Sequence, residues 1–264
     1  MTEPLKAPFG QFMTEILVGF LIAAGVGLTG VGAGSLLAPV LMLFFKLSPP
    51  EAVGTSLAFS AVTKLVSAPV YMLRKQIHYP TLARLTLGGI PGVLLGYYLI
   101  DLLDAKNHKS IVFLVIGGLV AAMAAYNLVR TLKRSVHHRS FQDHSRWLPP
   151  IGFFIGTEVG FSSAGAGALG SVALLNLTPL SPATVVGTDV LFGLFCSIVG
   201  GGFHLSAGHF QSGILTHLII GGVAGALIGA NLLAVLPSRP LRVALSAWLT
   251  YMGLQLCWQA FAGA

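Results

Sequence analysis

Long apolar segments separated by short polar ones form the main pattern of the chain. Asp, Glu, Lys and Arg are absent from residues 110–129, 190–238 and 243–264. An apolar run of about 20 residues, wound as a helix, is long enough to cross the hydrocarbon core of a bilayer. The pattern predicts eight apolar helical segments, at residues 14–45, 52–73, 80–103, 110–131, 148–178, 183–204, 211–236 and 240–261.

The first and fifth of these segments are longer than one crossing requires. Each has about 31 residues, which would extend about 47 Å as a continuous helix. Each is also interrupted by glycines, which weaken a helix. We therefore expect two half-helices joined by unwound backbone in each segment. The glycines are Gly25, Gly27, Gly30, Gly32 and Gly34 in the first segment, and Gly160, Gly165, Gly167 and Gly170 in the fifth.

The chain also contains an internal repeat, because residues 32–96 recur at residues 165–229 without a gap, always 133 positions apart. The matches are Gly32-Ala33-Gly34 with Gly165-Ala166-Gly167, Ser48-Pro49 with Ser181-Pro182, Val53-Gly54-Thr55 with Val186-Gly187-Thr188, and Gly88-Gly89 with Gly221-Gly222. The repeat predicts an all-α polytopic membrane protein with two homologous halves of about four segments each, as in many transporters. The halves are residues 1–131 and 148–264, joined by a basic cytoplasmic linker at 132–147.

Two membrane topologies fit these segments. If segments one and five cross the membrane, there are eight spans, the termini are cytoplasmic, and Lys and Arg number 9 inside and 5 outside. If both fold back as re-entrant hairpins, each half has three spans and the halves become inverted repeats with a pseudo-two-fold axis. The count is then 10 inside and 4 outside, with the termini outside. We favour eight crossings, because each broken segment is long enough to cross.

Composition agrees with a membrane protein and excludes a soluble domain. Charged residues make up 9% of the chain, against roughly 25% in soluble domains, and mean hydropathy is +0.83. The net charge of +7 comes mainly from clusters at 74–84 and 130–146. Such clusters are typical of cytoplasmic loops, so the predicted partner is a lipid bilayer and not nucleic acid. The first apolar segment carries part of the repeat, so we expect it to be retained and not cleaved as a signal peptide.

The two glycine breaks are the first candidates for a binding site. Irregular backbone at membrane depth survives only where it is buried in protein or faces water, so residues 32–35 and 165–168 are expected to line a shared cavity. The half-helix starts beyond them would direct free N–H groups at an anion. The alternative is close helix packing through small residues. The candidates are Gly32, Gly34, Ser35, Gly165 and Gly167.

A second set of candidates lies on segments two and six. Ser56, Ser60, Lys64, Ser67 and Tyr71 share one helical face. Thr55 and Ser56 in the second segment, and Thr188 and Asp189 in the sixth, follow the repeated Val-Gly motif. Lys64 and Asp189 carry most weight, because an ionised group near mid-membrane usually faces a cavity or a partner. Lys64 could also snorkel to an interface or form a structural ion pair with an acid.

Glu158 precedes the second break and is a candidate for coupling transport to protons. Metal-ligand spacing of His or Cys, a nucleophile with its base, and nucleotide-binding loops are all missing from the sequence, so we expect no metal, no cofactor and no enzyme. The sequence favours no particular oligomeric state.

The chain resembles the sulfite exporter TauE/SafE family. The residues that carry the resemblance are Gly32 to Ser35, Pro39, Ser48-Pro49, Ala52 to Ser56 and Gly88-Gly89, with a weaker second copy at 165–168, Ser181-Pro182 and Val186 to Asp189. The resemblance implies a multi-pass bacterial inner-membrane protein that transports sulfite, sulfonates or related small sulfur-containing anions.

The functional expectation combines the residues with this resemblance. It is a secondary transporter that exports a small sulfur-containing anion, bound between the two breaks by the hydroxyls of Ser35, Thr55 and Ser56 and by the charge of Lys64. Asp189 stands where the first half has Ser56, so the site is not expected to be symmetric. The alternatives are an importer of thiosulfate-like or sulfate-like anions, a passive anion channel, and a membrane-embedded enzyme or non-transporting partner subunit.

Overall fold

All the regular structure in the described residues is helical, as the sequence predicted. The structure is a computed structural model that describes residues 7–29, 32–105, 108–132, 144–164, 167, 169–232 and 238–262. The helices are α1 (Ala7–Thr29), α2 (Ala33–Leu43), α3 (Pro49–Leu73), α4 (Tyr79–Ala105), α5 (Lys109–Leu132), α6 (Leu148–Ser162), α7 (Leu169–Leu177), α8 (Pro182–Ser206), α9 (Ser212–Leu232) and α10 (Ser238–Ala262), with a 3-10 turn at Ser145–Trp147. Within the described ranges, four helices are long and apolar enough to cross a membrane: Pro49–Leu73, Tyr79–Asp104, Lys109–Val129 and Pro182–Ser206.

Helices α3 and α8 both begin at a Ser-Pro pair, because serine caps a helix and proline suits its first turn. At α3, the backbone N–H and the hydroxyl of Ser48 both donate to Glu51 Oε2, at 3.1 and 2.7 Å. At α8, the hydroxyl of Ser181 accepts from the N–H of Thr184 at 3.3 Å. The bounds of α8 are those of α3 moved by the same 133 positions that relate the two sequence copies.

Helices α3 and α8 pack side by side in opposite directions. The N–H of His78, just after α3, donates to Thr188 near the start of α8 at 3.0 Å. The N–H of Gln211, just after α8, donates to Thr55 near the start of α3 at 3.3 Å. We call the end of the bundle where α3 ends and α8 begins the linker end, and the opposite end the terminal end.

Helices α6 and α7 form a hairpin that enters and leaves at the linker end. The N–H of His144, before α6, donates to the carbonyl of Leu177, the last residue of α7, at 3.0 Å. Between these residues α6 runs parallel to α4, with Gly152 against Leu85 and Gly160 against Val93. The favoured topology with eight crossings is therefore wrong for the fifth segment, and the hairpin alternative describes it. Length made a crossing feasible, but the interruption after Ser162 lets the chain turn back.

Helices α1 and α2 form the corresponding hairpin from the terminal end. Helix α1 runs parallel to α9, which begins at the terminal end, with Gly19 against Leu218. Thr14 of α1 lines the same apolar cavity as Phe44, which follows α2, so α2 returns toward the end where α1 began. The eight-crossing topology is therefore wrong for the first segment too.

The interior of the bundle is built from four main pairs of the described helices. Helix α1 packs on α9, α6 on α4, α3 on α8, and α5 on α10. The ring of Phe192 lies against Gly89, and the ring of Phe59 lies against Gly222. Both rings are fully buried, whereas large apolar side chains such as Trp258 and Phe261 are exposed on the outside. An apolar exterior of this kind fits a lipid environment.

Candidate functional site: a cavity that opens at the linker end

A cavity of about 280 Å³ lies between α1, α3, α8 and α9. Helix α3 contributes most of its polar lining, and α8 contributes Asp189. Gly32, just before α2, and Gly167, between α6 and α7, also line it. Arg74 and Ala183 are exposed at the linker end and form the mouth. The polar side chains from α3 and the turn after it are Thr63, Lys64, Ser67, Tyr71, Arg74 and Gln76.

Lys64 lies deep in this cavity. It is ten positions before Arg74, so its backbone is about 15 Å further into the bundle. The residue is 8% exposed. Within the part of the chain that the structure describes, its ammonium forms no ion pair with Asp189 and no hydrogen bond. A buried cation without a partner is costly, so this lysine is suited to meet a mobile anion.

Asp189 lies on the wall of α8, at the first turn of α7. It is 3% exposed, and the Ser171 hydroxyl donates to its Oδ2 at 2.7 Å. Gly170 lies directly beside Oδ1, which has no hydrogen-bond partner among the described residues. The start of a helix favours negative charge. Asp189 therefore occupies the α7 start, where sequence reasoning had expected a bound anion.

The glycines of the breaks have different roles. Gly167 has φ 110°, a left-handed conformation that favours glycine, and it borders the cavity with Gly32. Gly34 instead packs against the hydroxyl and carbonyl of Ser163, where a Cβ atom would collide. The Ser35 hydroxyl donates to the carbonyl of Gly32 at 2.6 Å. The predicted site residue Gly165 lies outside the described residues.

The structure thus brings four predicted site residues to one cavity and leaves others apart. Gly32, Lys64, Gly167 and Asp189 line it, but Gly34, Ser35, Thr55, Ser56 and Thr188 do not. The hydroxyls of Thr55 and Thr188 accept the N–H groups of Gln211 and His78, so they hold interhelical turns. Ser56 is fully buried, and its hydroxyl has no hydrogen-bond partner among the residues described.

Glu158 lies outside the cavity lining. The Ser162 hydroxyl, one turn further along α6, donates to its Oε1 at 2.7 Å. Its Oε2 is buried and has no hydrogen-bond partner within the described ranges.

Sequence reasoning missed Thr63, Arg74 and Gln76 as lining residues. Arg74 lies just beyond the polar face that contains Lys64, Ser67 and Tyr71, so extending that face by one turn would have found it. The described residues contain no group of three or more His, Cys, Asp and Glu side chains that could hold a metal ion.

Several side-chain contacts lie over the same α3–α8 pair at the terminal end of the bundle. The side-chain amide of Gln211 donates to Glu51 Oε1 at 2.9 Å. The ring of Tyr97 packs edge-on against His204, with centroids 5.0 Å apart. His209 Nε2 lies 3.7 Å from Asp101 Oδ1. The carbonyl of His209 lies directly against Gly54.

Comparison with known proteins places this bundle in a family. The profile described as sulfite exporter TauE/SafE matches residues 15–256, which is nearly the whole described chain. The chain belongs to the sulfite exporter TauE/SafE family. This TauE/SafE member is therefore a membrane transporter, and the resemblance read from the sequence is confirmed.

Relatives of this TauE/SafE protein carry transporter names. "Probable membrane transporter protein YjnA" of Bacillus subtilis is 30% identical over 249 residues, covering 91% of this chain and 98% of the relative. "Probable membrane transporter protein YunE" of the same organism is 26% identical, covering 94% and 98%. A "Probable membrane transporter protein" of Xylella fastidiosa is 26% identical, covering 81% and 82%. No solved structure matches the chain at a significant level.

Proposed function

We propose that the protein is a secondary transporter that exports a small sulfur-containing anion, of the sulfite or organosulfonate type, across the bacterial inner membrane. The observation that carries the proposal is the buried ammonium of Lys64, which has no ion-pair partner among the described residues and lines a cavity that is open at the linker end. The anion binds beside Lys64, where the backbone of Gly32 and Gly167 also reaches the cavity. Arg74 at the mouth adds a second positive charge.

We infer that residues 1–131 and 148–264 are homologous inverted halves with a pseudo-two-fold axis in the membrane plane. The support is reciprocal contact. Thr55 holds the turn after α8 as Thr188 holds the turn after α3, and Phe192 meets Gly89 as Phe59 meets Gly222. Hairpins that enter from opposite ends and interrupted helices that reach the site are features of inverted-repeat transporters.

The distribution of charge supports a cytoplasmic linker end. With both hairpins re-entrant, 10 Lys and Arg residues belong to the linker end and 4 to the terminal end. The positive-inside bias then places residues 132–147 in the cytoplasm and the termini outside. The cavity opens to the cytoplasm in this arrangement, which is the side from which an exporter takes its substrate.

Contacts at the terminal end favour a carrier over a passive channel. A channel requires a continuous path, whereas a carrier exposes its site to one side at a time. The bond between Glu51 and Gln211 and the packing of Tyr97 on His204 lie at the end that the cavity does not reach. Transport would require the contacts at the terminal end to open while the linker end closes. The bound anion would then be released on the other side of the membrane.

Anion flux in proteoliposomes tests the proposal. Purified wild-type protein is expected to exchange labelled sulfite across the vesicle membrane. Competition by sulfoacetate, thiosulfate, sulfate and chloride then ranks these anions as substrates. Lys64→Ala removes a charge-assisted contact and is expected to lower flux about tenfold or more. Lys64→Arg keeps the charge and should retain part of the flux. Lys109→Ala removes an exposed lysine at the start of α5 and serves as control.

Two results would contradict the proposal. Unchanged flux in Lys64→Ala would remove Lys64 from the mechanism. A wild-type protein that moves none of the five anions would exclude the substrate class. Loading the vesicles from inside or outside measures the preferred direction, and faster net uptake into the cytoplasmic compartment would favour the importer.

A further inference from the structure

The charges that line the cavity form an unusual set. Among its described lining residues, Asp189 is the only acid, and Lys64 and Arg74 are the only strong bases. Arg74 reaches water at the mouth, so Lys64 and Asp189 are the two buried charges. They share the cavity without forming an ion pair. Both therefore border the same cavity.

Building on the proposed function, we propose that Asp189 is the proton-binding site that couples transport, and that it takes up one proton when the anion occupies Lys64. In the empty cavity the ammonium of Lys64 and the carboxylate of Asp189 balance each other. A monovalent anion at Lys64 leaves the carboxylate as an excess buried negative charge, which is costly in a low-dielectric site. A proton on Asp189 restores neutrality, because the carboxylate becomes a neutral carboxyl group.

The surroundings of Asp189 suit this role. Its Oδ2 is held by the Ser171 hydroxyl of α7, so the side chain stays in place in either charge state. Its Oδ1 is buried without a hydrogen-bond partner among the described residues and can carry the proton. The titratable or charged groups that face it are Lys64 of α3 and Cys196 of its own helix, with Tyr71 and Arg74 toward the mouth. In this conformation the proton arrives from water at the linker end.

Glu158, the acid that sequence reasoning chose for coupling, also has one oxygen held by a serine and one buried oxygen without a hydrogen-bond partner among the described residues, but it does not share the cavity with Lys64. It lies outside the cavity lining, and its nearest polar contact is Ser162 of its own helix. The anion at Lys64 would therefore change its surroundings little.

The cycle that follows carries one anion and one proton in the same direction. Net charge does not cross the membrane, so the membrane potential does not drive transport. The anion gradient and the pH gradient together set the direction. Export of an anion that accumulates in the cytoplasm also removes one acid equivalent for each anion exported.

Separate measurement of exchange and net transport tests the proposal. Wild-type protein in proteoliposomes is expected to exchange labelled sulfite and to accumulate it when a pH gradient is imposed. Asp189→Asn keeps the shape and the contact with Ser171 but cannot release a proton. This variant is expected to retain exchange within about threefold and to lose gradient-driven accumulation by about tenfold or more, because the empty carrier then returns with Lys64 unbalanced.

Two further variants keep the test decisive. Asp189→Ser places at this position the residue that the first half has at Ser56, and it replaces Asp189→Asn if the latter does not fold, as judged by a single symmetric peak in size-exclusion chromatography. Glu158→Gln is the comparison variant and is expected to keep both exchange and accumulation.

The outcomes separate the two proposals. Accumulation driven by a pH gradient in Asp189→Asn would overturn Asp189 as the coupling site, as would loss of exchange in a well-folded variant. A wild type that exchanges sulfite but ignores the pH gradient would overturn coupling and leave the transporter proposal intact. Absence of exchange with every anion would overturn both.

Discussion

Gly34 lies directly against Ser163, so the start of α2 touches the end of α6. The two residues belong to different hairpins that enter the bundle from opposite ends. Ser163 itself has φ 64°, a left-handed conformation that ends α6. This contact brings the two helix breaks together in the interior, and it depends on the missing side chain of Gly34.

A methyl group at Gly34 is expected to destabilise this meeting point. In Gly34→Ala the Cβ atom collides with the carbonyl and hydroxyl of Ser163, and overpacking of this kind costs about 1–3 kcal/mol. The thermal midpoint in detergent should fall. Gly202→Ala is the matched control, because a Cβ at this exposed α8 position meets nothing within 4 Å. The same thermal midpoint for both variants would show that the contact between Gly34 and Ser163 can accommodate a methyl group.

Water-soluble reagents are expected to reach the α3–α8 interface from the linker end and not from the terminal end. Ser67 of α3 lines the cavity, whereas Ser197, which occupies the α8 position equivalent to Lys64, is 1% exposed. In a background with Cys196 and Cys257 replaced by alanine, Ser67→Cys should react with a membrane-impermeant thiol reagent added at the linker side. Ser197→Cys should react about tenfold more slowly from either side, as expected for a minor open state. Rapid labelling of both would indicate a continuous path and favour the channel.

Loss of the Thr188 hydroxyl is expected to lower stability without changing substrate preference. Thr188→Val leaves the N–H of His78 without its acceptor in a partly buried bond, and loss of such a hydrogen bond costs about 1 kcal/mol. Thr216→Val is the control, since that exposed hydroxyl bonds only within its own helix, to Ser212. Thermal midpoints and the anion competition series measure the two effects. An altered ranking of anions in Thr188→Val would contradict this prediction and indicate that the Thr188 hydroxyl takes part in anion binding.

The charge of Arg74 at the mouth is expected to attract the anion. Arg74→Gln should raise the half-saturating anion concentration several-fold at low ionic strength and leave the maximal rate near wild type. The difference should shrink at about 1 M salt, where the Debye length is about 3 Å. Arg146→Gln, which alters an exposed arginine before α6, controls for general surface charge. Equal effects of the two substitutions would speak against a role specific to the mouth.

Much of the local structure could be predicted from the sequence. The segments expected at 52–73, 80–103 and 110–131 correspond to α3, α4 and α5, with bounds that differ by at most three residues. The repeated Ser-Pro pairs of the sequence mark the starts of α3 and α8. The polar face of the second segment led to Lys64, and the same reasoning led to Asp189; both line the cavity.

The roles of Thr55 and Thr188 could not be predicted in this way. Both residues sit beside candidate binding residues in a repeated motif, so the sequence favoured a ligand as their partner. Their actual partners, Gln211 and His78, lie far away in the chain. Only packing of α3 against α8 brings these groups within hydrogen-bond distance.

The sequence by itself determined where the helices lie and which ionisable groups are buried among apolar residues. A helix in lipid satisfies its own backbone groups, so its position follows from the length and composition of one local segment. The tertiary structure alone decided that both broken segments turn back, that Asp189 fills the start of α7, and that the described lining of the cavity reaches the surface at the linker end. Those features depend on contacts such as His144 with Leu177 and Gly34 with Ser163. The composition of a local segment does not specify which distant residues it will contact.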